Sequence, residues 1–139
     1  MKAVDILNGS NSLLKKHNPP SIALPSSNYC HGVSVDSAKR WLHVSGQLGL
    51  HSDGSIGENP KIQMEQCWHN ILAILDDAQM SKDNLVKITT YITSASFVPL
   101  YREVRDRKLN GLKCASTLVV VTALVDPNLV VEIEAVAAA

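Results

Sequence analysis

Residues 113–139 read KCASTLVVVTALVDPNLVVEIEAVAAA, and this stretch decides the fold. It is almost entirely apolar. Ser116, Thr117, Thr122, Glu132 and Glu134 are the few polar side chains set among its β-branched residues. The pattern predicts two strands, over 116–124 and 129–137. In the first, Thr117, Val119, Val121 and Ala123 share one face, while Leu118, Val120 and Leu124 share the other. Both faces are largely apolar, so both need a cover. The run is broken by Asp126, Asn128 and Glu132, which excludes a membrane-spanning helix.

Upstream, the period changes twice. Cys67, Ile71, Ile74, Leu75 and Ala78 recur at helical spacing, and Pro60 suits a first helical turn. A second helix is predicted over 96–109, with Ser96 as its cap and Pro99 in its first turn. Phe97, Leu100, Val104 and Leu109 are expected to face inward, and Arg102, Arg105 and Arg107 mostly outward. LVKITTYIT at 85–93 reads as a strand between the helices. Further upstream, Val33 and Val35 mark one strand and residues 41–45 the next, with a turn at 36–39. Asp53-Gly54 signals a turn in the loop that follows. Residues 1–22 read as an arm, with turn or breaker chemistry at NGSNS and HNPPS, and residues 23–139 as one domain. Two helices cover one side of so small a sheet, so a second subunit is the economical cover for the other. The expected class is α+β, with a mixed sheet, both helices on one face and an oligomer on the other.

Composition narrows the function. The 139 residues suit a single core, and 13 basic side chains balance 13 acidic ones. No net charge draws the chain to nucleic acid or to an anionic membrane. Aromatics are only 4%, too few for base-stacking platforms. The first residues, MKAVDILNGSNS, lack the apolar core of a signal peptide. Cys30, Cys67 and Cys114 are odd in number and widely spaced, which suits buried free thiols in a reducing cytoplasm. The five histidines show no metal-ligand spacing, and His43 is expected to be partly buried and satisfied. No GxGxxG, GK[ST] or GxSxG motif is present, so no cofactor is expected.

What remains is a set of polar residues at strand ends: Tyr29, Ser45, Gly46, Gln47 and Ser116, with Glu132 inside the last strand. A carboxylate among valines is costly to bury unpaired. Either Glu132 and Glu134 face solvent or a basic partner, or one of them sits in a cleft and handles a proton.

YCHGVSV (29–35), HVSGQLGL (43–50), QCWHNILAILDDA (66–78), NLVKITTYIT (84–93) and STLVVVTALVDPNLVVEIEAVA (116–137) resemble, in order and spacing, the Rid family. These are the reactive intermediate imine/enamine deaminases, also called YjgF or RidA. The resemblance runs from about Ile22 to the C-terminus. It implies a βαβαββ core, a final strand inserted within the sheet rather than paired in a hairpin, and a homotrimer with three clefts between subunits. Active members hydrolyse 2-imino or 2-enamino acids to 2-oxo acids and ammonia. The resemblance assigns the cleft tyrosine to Tyr29, its serine and glycine to Ser45 and Gly46, and its water-handling acid to Glu132. The family's carboxylate-binding arginine does not carry over. Counting back from Leu124, Ser116 occupies its position, and Lys113 is the nearest cation in sequence. A serine donates one hydrogen bond and neutralises nothing, so charge-assisted bonds worth roughly 1.5–3 kcal/mol each are missing. The chain is thus expected to be a cytoplasmic Rid trimer for a small carbonyl or imine metabolite, from a subgroup lacking the arginine. The alternatives are a non-catalytic ligand-binding or regulatory trimer and, less well matched by the charge balance, an RNA-acting protein of the endoribonuclease type.

Overall fold

The computed structural model describes residues 13–139. The NGSNS turn and the signal-peptide reading lie outside the described residues, except that Leu13 follows them directly. The elements run β1 (Leu14–His17), β2 (Gly32–Val35), β3 (Trp41–Leu48), α1 (Pro60–Asp77), β4 (Leu85–Ile92), α2 (Val98–Lys108), β5 (Ala115–Val120) and β6 (Val131–Ala138). Four strands form one sheet in the order β3-β6-β4-β5. β6 runs antiparallel to both β3 and β4, and β5 runs parallel to β4. The last two strands are therefore not a hairpin: β6 inserts at the centre and β5 takes the edge.

The upstream strands differ from expectation. β2 and β3 are consecutive but unpaired. β2 instead pairs with β1 in a two-stranded ribbon, Leu14 opposite Val35 and His17 opposite Gly32. The arm expected over 1–22 thus contributes a strand. β3 is free to pair with β6, a longer partner that carries the core alternation.

That alternation is strict in β6. Val131, Ile133, Ala135 and Ala137 are buried, and Glu132, Glu134 and Val136 between them are only half-buried. Ile88, Thr90 and Ile92 of β4 continue the buried face. Met64, Cys67, Trp68, Ile71 and Leu75 of α1 close over it, with Tyr101 and Val104 of α2. Burying side chains of this size contributes about 1.5–3 kcal/mol each. Thr90 enters this core by sharing a 2.5 Å hydrogen bond with the Tyr101 hydroxyl.

Asn59 starts α1: its Oδ1 accepts from the Ile62 amide at 2.9 Å, and Pro60 follows, where its missing N–H is no loss. The entry to α2 is capped differently from expectation. Ser94, not Ser96, accepts a backbone N–H, and a short 3-10 turn (Ala95–Phe97) precedes the helix. The expected 53–54 turn is present, with Gly54 at φ 85°. The strands are shorter than expected because residues 121–130 form a loop. Gln63, buried on α1, fixes that loop. Its Nε2 donates to Asn128 O at 2.9 Å and to Gly57 O at 3.2 Å, and its Oε1 accepts from Val130 N at 2.9 Å.

The other face of the sheet is uncovered in a single chain. It is mixed rather than wholly apolar: it carries exposed Trp41 and Val119, and Lys87 Nζ donates to Thr117 Oγ1 at 2.6 Å.

Candidate functional site

Glu132 projects from the uncovered face of β6, paired with Tyr91 on one side and Leu48 on the other. The β3 ladder is irregular between Val44 and Gln47, next to Gly46. A Cβ built on Gly46 would overlap Glu132 Oε1 and lie 2.8 Å from its carboxylate carbon. Only glycine lets the carboxylate lie against this strand. Glu134, two residues along, accepts a 2.5 Å hydrogen bond from the Tyr91 hydroxyl. That bond holds the Tyr91 phenol above its ordinary pKa, since ionisation would remove the donor beside a carboxylate. Glu132 has no hydrogen-bond or ion-pair partner among the described residues. It faces an open groove of about 410 Å³, walled by Gly46, Tyr91, Glu134 and the 121–125 loop. An unpaired carboxylate in such a groove can orient a water molecule and accept its proton.

Tyr29 and Ser116 meet elsewhere. Asn28 Nδ2 donates to Gly111 O at 3.0 Å, and Cys30 N donates to Cys114 O at 3.0 Å. These bonds lay residues 28–30 along the start of β5. Tyr29 and Ser116 then line a pocket of about 160 Å³ with Ser26, Ser27, Arg102 and Arg105. Ser116 pairs with Ile88, which belongs to the helix-covered face, whereas Glu132 pairs with Tyr91, three residues further along β4. By strand alternation, Ser116 and Glu132 point to opposite faces. Within one chain the expected site residues therefore form two half-sites: Gly46 with Glu132, and Tyr29 with Ser116. Ser45 is exposed beside Gly46 and lines neither pocket.

The arginines correct the sequence reading. Arg105, expected to face outward, keeps only 5% of its side chain exposed. Its Nε donates to Asp106 Oδ1 at 2.9 Å, its guanidinium carbon lies 6.0 Å from the Tyr101 ring centre, and its Nη2 is buried with no partner among the described residues. The signal was in the sequence: Tyr101, Val104, Arg105 and Leu109 recur at i, i+3, i+4 and i+8, the inner face of α2. Phe97 and Leu100, expected there, are only partly buried. Lys113, the nearest cation to Ser116 in sequence, lines a different pocket with Lys16 and Asp83.

Other chemistries find less support. All three thiols are free and buried, and burial pushes Cys67 and Cys114 up to about 12, the wrong direction for a nucleophile. No cluster of three or more His, Cys, Asp or Glu side chains suited to a metal occurs among the described residues. His43, expected to be partly buried, is exposed on β3. No helix among them is long and apolar enough to cross a membrane.

Comparison with known proteins is consistent with this architecture. Residues 21–139 match the family model described as Endoribonuclease L-PSP. A RutC family protein of Aquifex aeolicus (strain VF5) is 30% identical over 126 residues, covering 89% of this chain and 98% of the relative. The crystal structure of YyfB, a Rid-family protein from Yersinia pestis, superposes with a TM-score of 0.82 at 25% identity, over 91% of this chain and 99% of that one. RidA from an Antarctic Psychrobacter species (PAMC 21119) gives 0.68 at 28% identity, over 90% and 99%. With the motif order, the inserted β6 and these matches together, the chain belongs to the Endoribonuclease L-PSP family, the Rid or YjgF family its sequence resembles.

Proposed function

We propose that this chain is a homotrimeric small-molecule protein whose clefts lie between copies and hydrolyse an imine or enamine of a small carbonyl metabolite. The observation that carries this is the Glu132 carboxylate, fitted against Gly46 and, among the described residues, unpaired in a groove on the uncovered sheet face. That face also exposes Trp41, Val119 and Val125, which a neighbouring copy would cover. In the proposed trimer the groove of one copy meets the Tyr29–Ser116 edge of the next. An enamine enters as its imine tautomer. Water held by Glu132 adds its oxygen to the imine carbon, and one water proton passes through the carboxylate to the nitrogen, giving a carbinolamine. Glu132 then carries the carbinol hydroxyl proton to that amine, the C–N bond breaks as the C=O bond forms, and ammonia leaves a carbonyl product. No redox partner is required.

Sedimentation equilibrium at micromolar concentration should give about three times the 15.1 kDa chain mass. Freshly generated 2-iminobutyrate should release ammonia faster than in a mock reaction, and Glu132→Gln should remove the excess. A monomer, or hydrolysis indifferent to Glu132→Gln, would overturn the reading. Ligand binding without hydrolysis would favour the non-catalytic alternative.

A further inference from the structure

We infer that the pocket between α2 and β5 binds a carboxylate, and that Arg105 and Arg102 of α2 supply the charge that Ser116 cannot. The inference deepens the function proposed above and rests on it for the metabolite's class. The pocket itself stands on its own geometry.

Two arginines, Arg102 and Arg105, and four hydroxyl-bearing residues, Ser26, Ser27, Tyr29 and Ser116, line a space of about 160 Å³. Arg105 is the informative residue. Its side chain is 95% buried, and a buried donor without a partner is costly unless something fills its place. Asp106 accepts from Nε only, which leaves Nη2 unpaired among the described residues. On the helix itself the guanidinium meets only Asp106, through Nε, and the Tyr101 ring, among the described residues. The planar fork of a guanidinium matches the planar pair of oxygens on a carboxylate. The hydroxyls can donate to whatever lone pairs the arginines leave free. Leu118 closes one wall and suits a short apolar substituent beside the charge. The chemistry fitted is therefore a small 2-oxo acid or its imine, bound through its carboxylate.

The position explains how the chain manages without an arginine on β5. Ser116 lines the same pocket as Arg105, so a small residue there leaves room for the helix side chains. An arginine at 116 would compete for that room.

Calorimetric titration with 2-oxobutyrate tests this directly. The unmodified protein should bind it saturably, with 2-butanone and inorganic phosphate both binding more weakly. Arg105→Met and the more exposed Arg102→Gln should each weaken 2-oxobutyrate binding by about tenfold or more, the loss expected for a charge-assisted contact. Ser116→Arg should weaken binding as well. Circular dichroism establishes that each variant is folded, and Arg102→Gln keeps the test decisive if Arg105→Met is not. No saturable binding, phosphate binding as tightly as 2-oxobutyrate, tighter binding by Ser116→Arg, or full affinity in both folded arginine variants would each overturn the assignment. The two readings fail separately. Binding through Arg105 without any hydrolysis defeats the proposed activity and keeps the pocket. Hydrolysis that depends on Glu132 but not on either arginine does the reverse.

Discussion

The two faces of the four-stranded sheet are held by different physics. On the covered face, side chains meet packed helices, and small volume changes run into backbone. On the open face they meet one another through isolated polar pairs, Lys87 with Thr117 and Tyr91 with Glu134, and Glu132 has no such pair among the described residues. Two glycines near the end of β3 show the contrast. A Cβ on Gly49 would lie 2.5 Å from Gln63 Cβ and 2.7 Å from its Cα, on the body of α1. The nearest atoms to a Cβ on Gly46 belong to the Glu132 side chain, its carboxylate first, and not to backbone. The covered face is rigid because it is packed, and the open face keeps a carboxylate that can move.

Gly49→Ala should therefore show the largest loss of stability. Helix α1 or the loop that Gln63 ties down must shift, at a cost of about 3 kcal/mol, the upper range for overpacking. Urea unfolding measures it, and a loss as small as that of Gly46→Ala would erase the distinction between the faces.

Alkaline pH should act next, again through the covered face. Burial raises the Cys67 and Cys114 thiols from an ordinary 9.0 to about 12 in the folded chain. A raised folded pKa contributes stability that is whole below the unfolded value and is lost as pH rises through the folded one. Thermal midpoints should fall between about pH 9 and about pH 12, and less steeply in a Cys67→Ala, Cys114→Ala variant compared with itself at pH 8. Equal slopes would show that the thiols are not the cause.

Gly46→Ala should cost less than about 1 kcal/mol, since a flexible side-chain end can swing away. It should nevertheless depress imine hydrolysis, because Glu132 is displaced. An unchanged rate would detach Glu132 from the chemistry. Arg105→Met should change stability least. Replacing a buried cation that leaves a donor unpaired by an apolar side chain of similar length is often neutral or stabilising. A loss of several kcal/mol in urea unfolding would make Arg105 a structural anchor instead.

The covered face was the more legible in sequence, because burial writes itself as periodicity. Cys67, Ile71 and Leu75 marked α1, and the alternation through Glu132 and Glu134 marked β6. The pairing of β2 with β1 was not legible. Residues 14–17 are LKKH, a polar edge strand without an alternating apolar signature. Glu132 and Glu134 stood out because a carboxylate among valines contradicts its surroundings, and the family resemblance chose Glu132 between them. Arg105 was missed for the opposite reason: on a helix carrying Arg102, Arg105 and Arg107, one more arginine looks like solvent-facing charge. Only the angle set by Tyr101 and Val104 turns it inward. That Gly46 and Ser116 serve different half-sites follows from strand register, which adjacent motifs do not reveal.

The central claim is that these half-sites, separate within one chain, meet between copies. Mixing tests it most directly. Glu132→Gln and Arg105→Met chains are unfolded together in equal amounts, refolded and assayed for ammonia release from 2-iminobutyrate. Each variant alone should be nearly inactive. If every cleft takes Glu132 from one copy and Arg105 from the next, random reassembly restores both native residues in one cleft of each mixed trimer, about a quarter of all clefts in the mixture. Activity should then rise to about that fraction of the unmodified protein's. A mixture no more active than its two parents would contradict the account, because the two groups would then not share a cleft across copies.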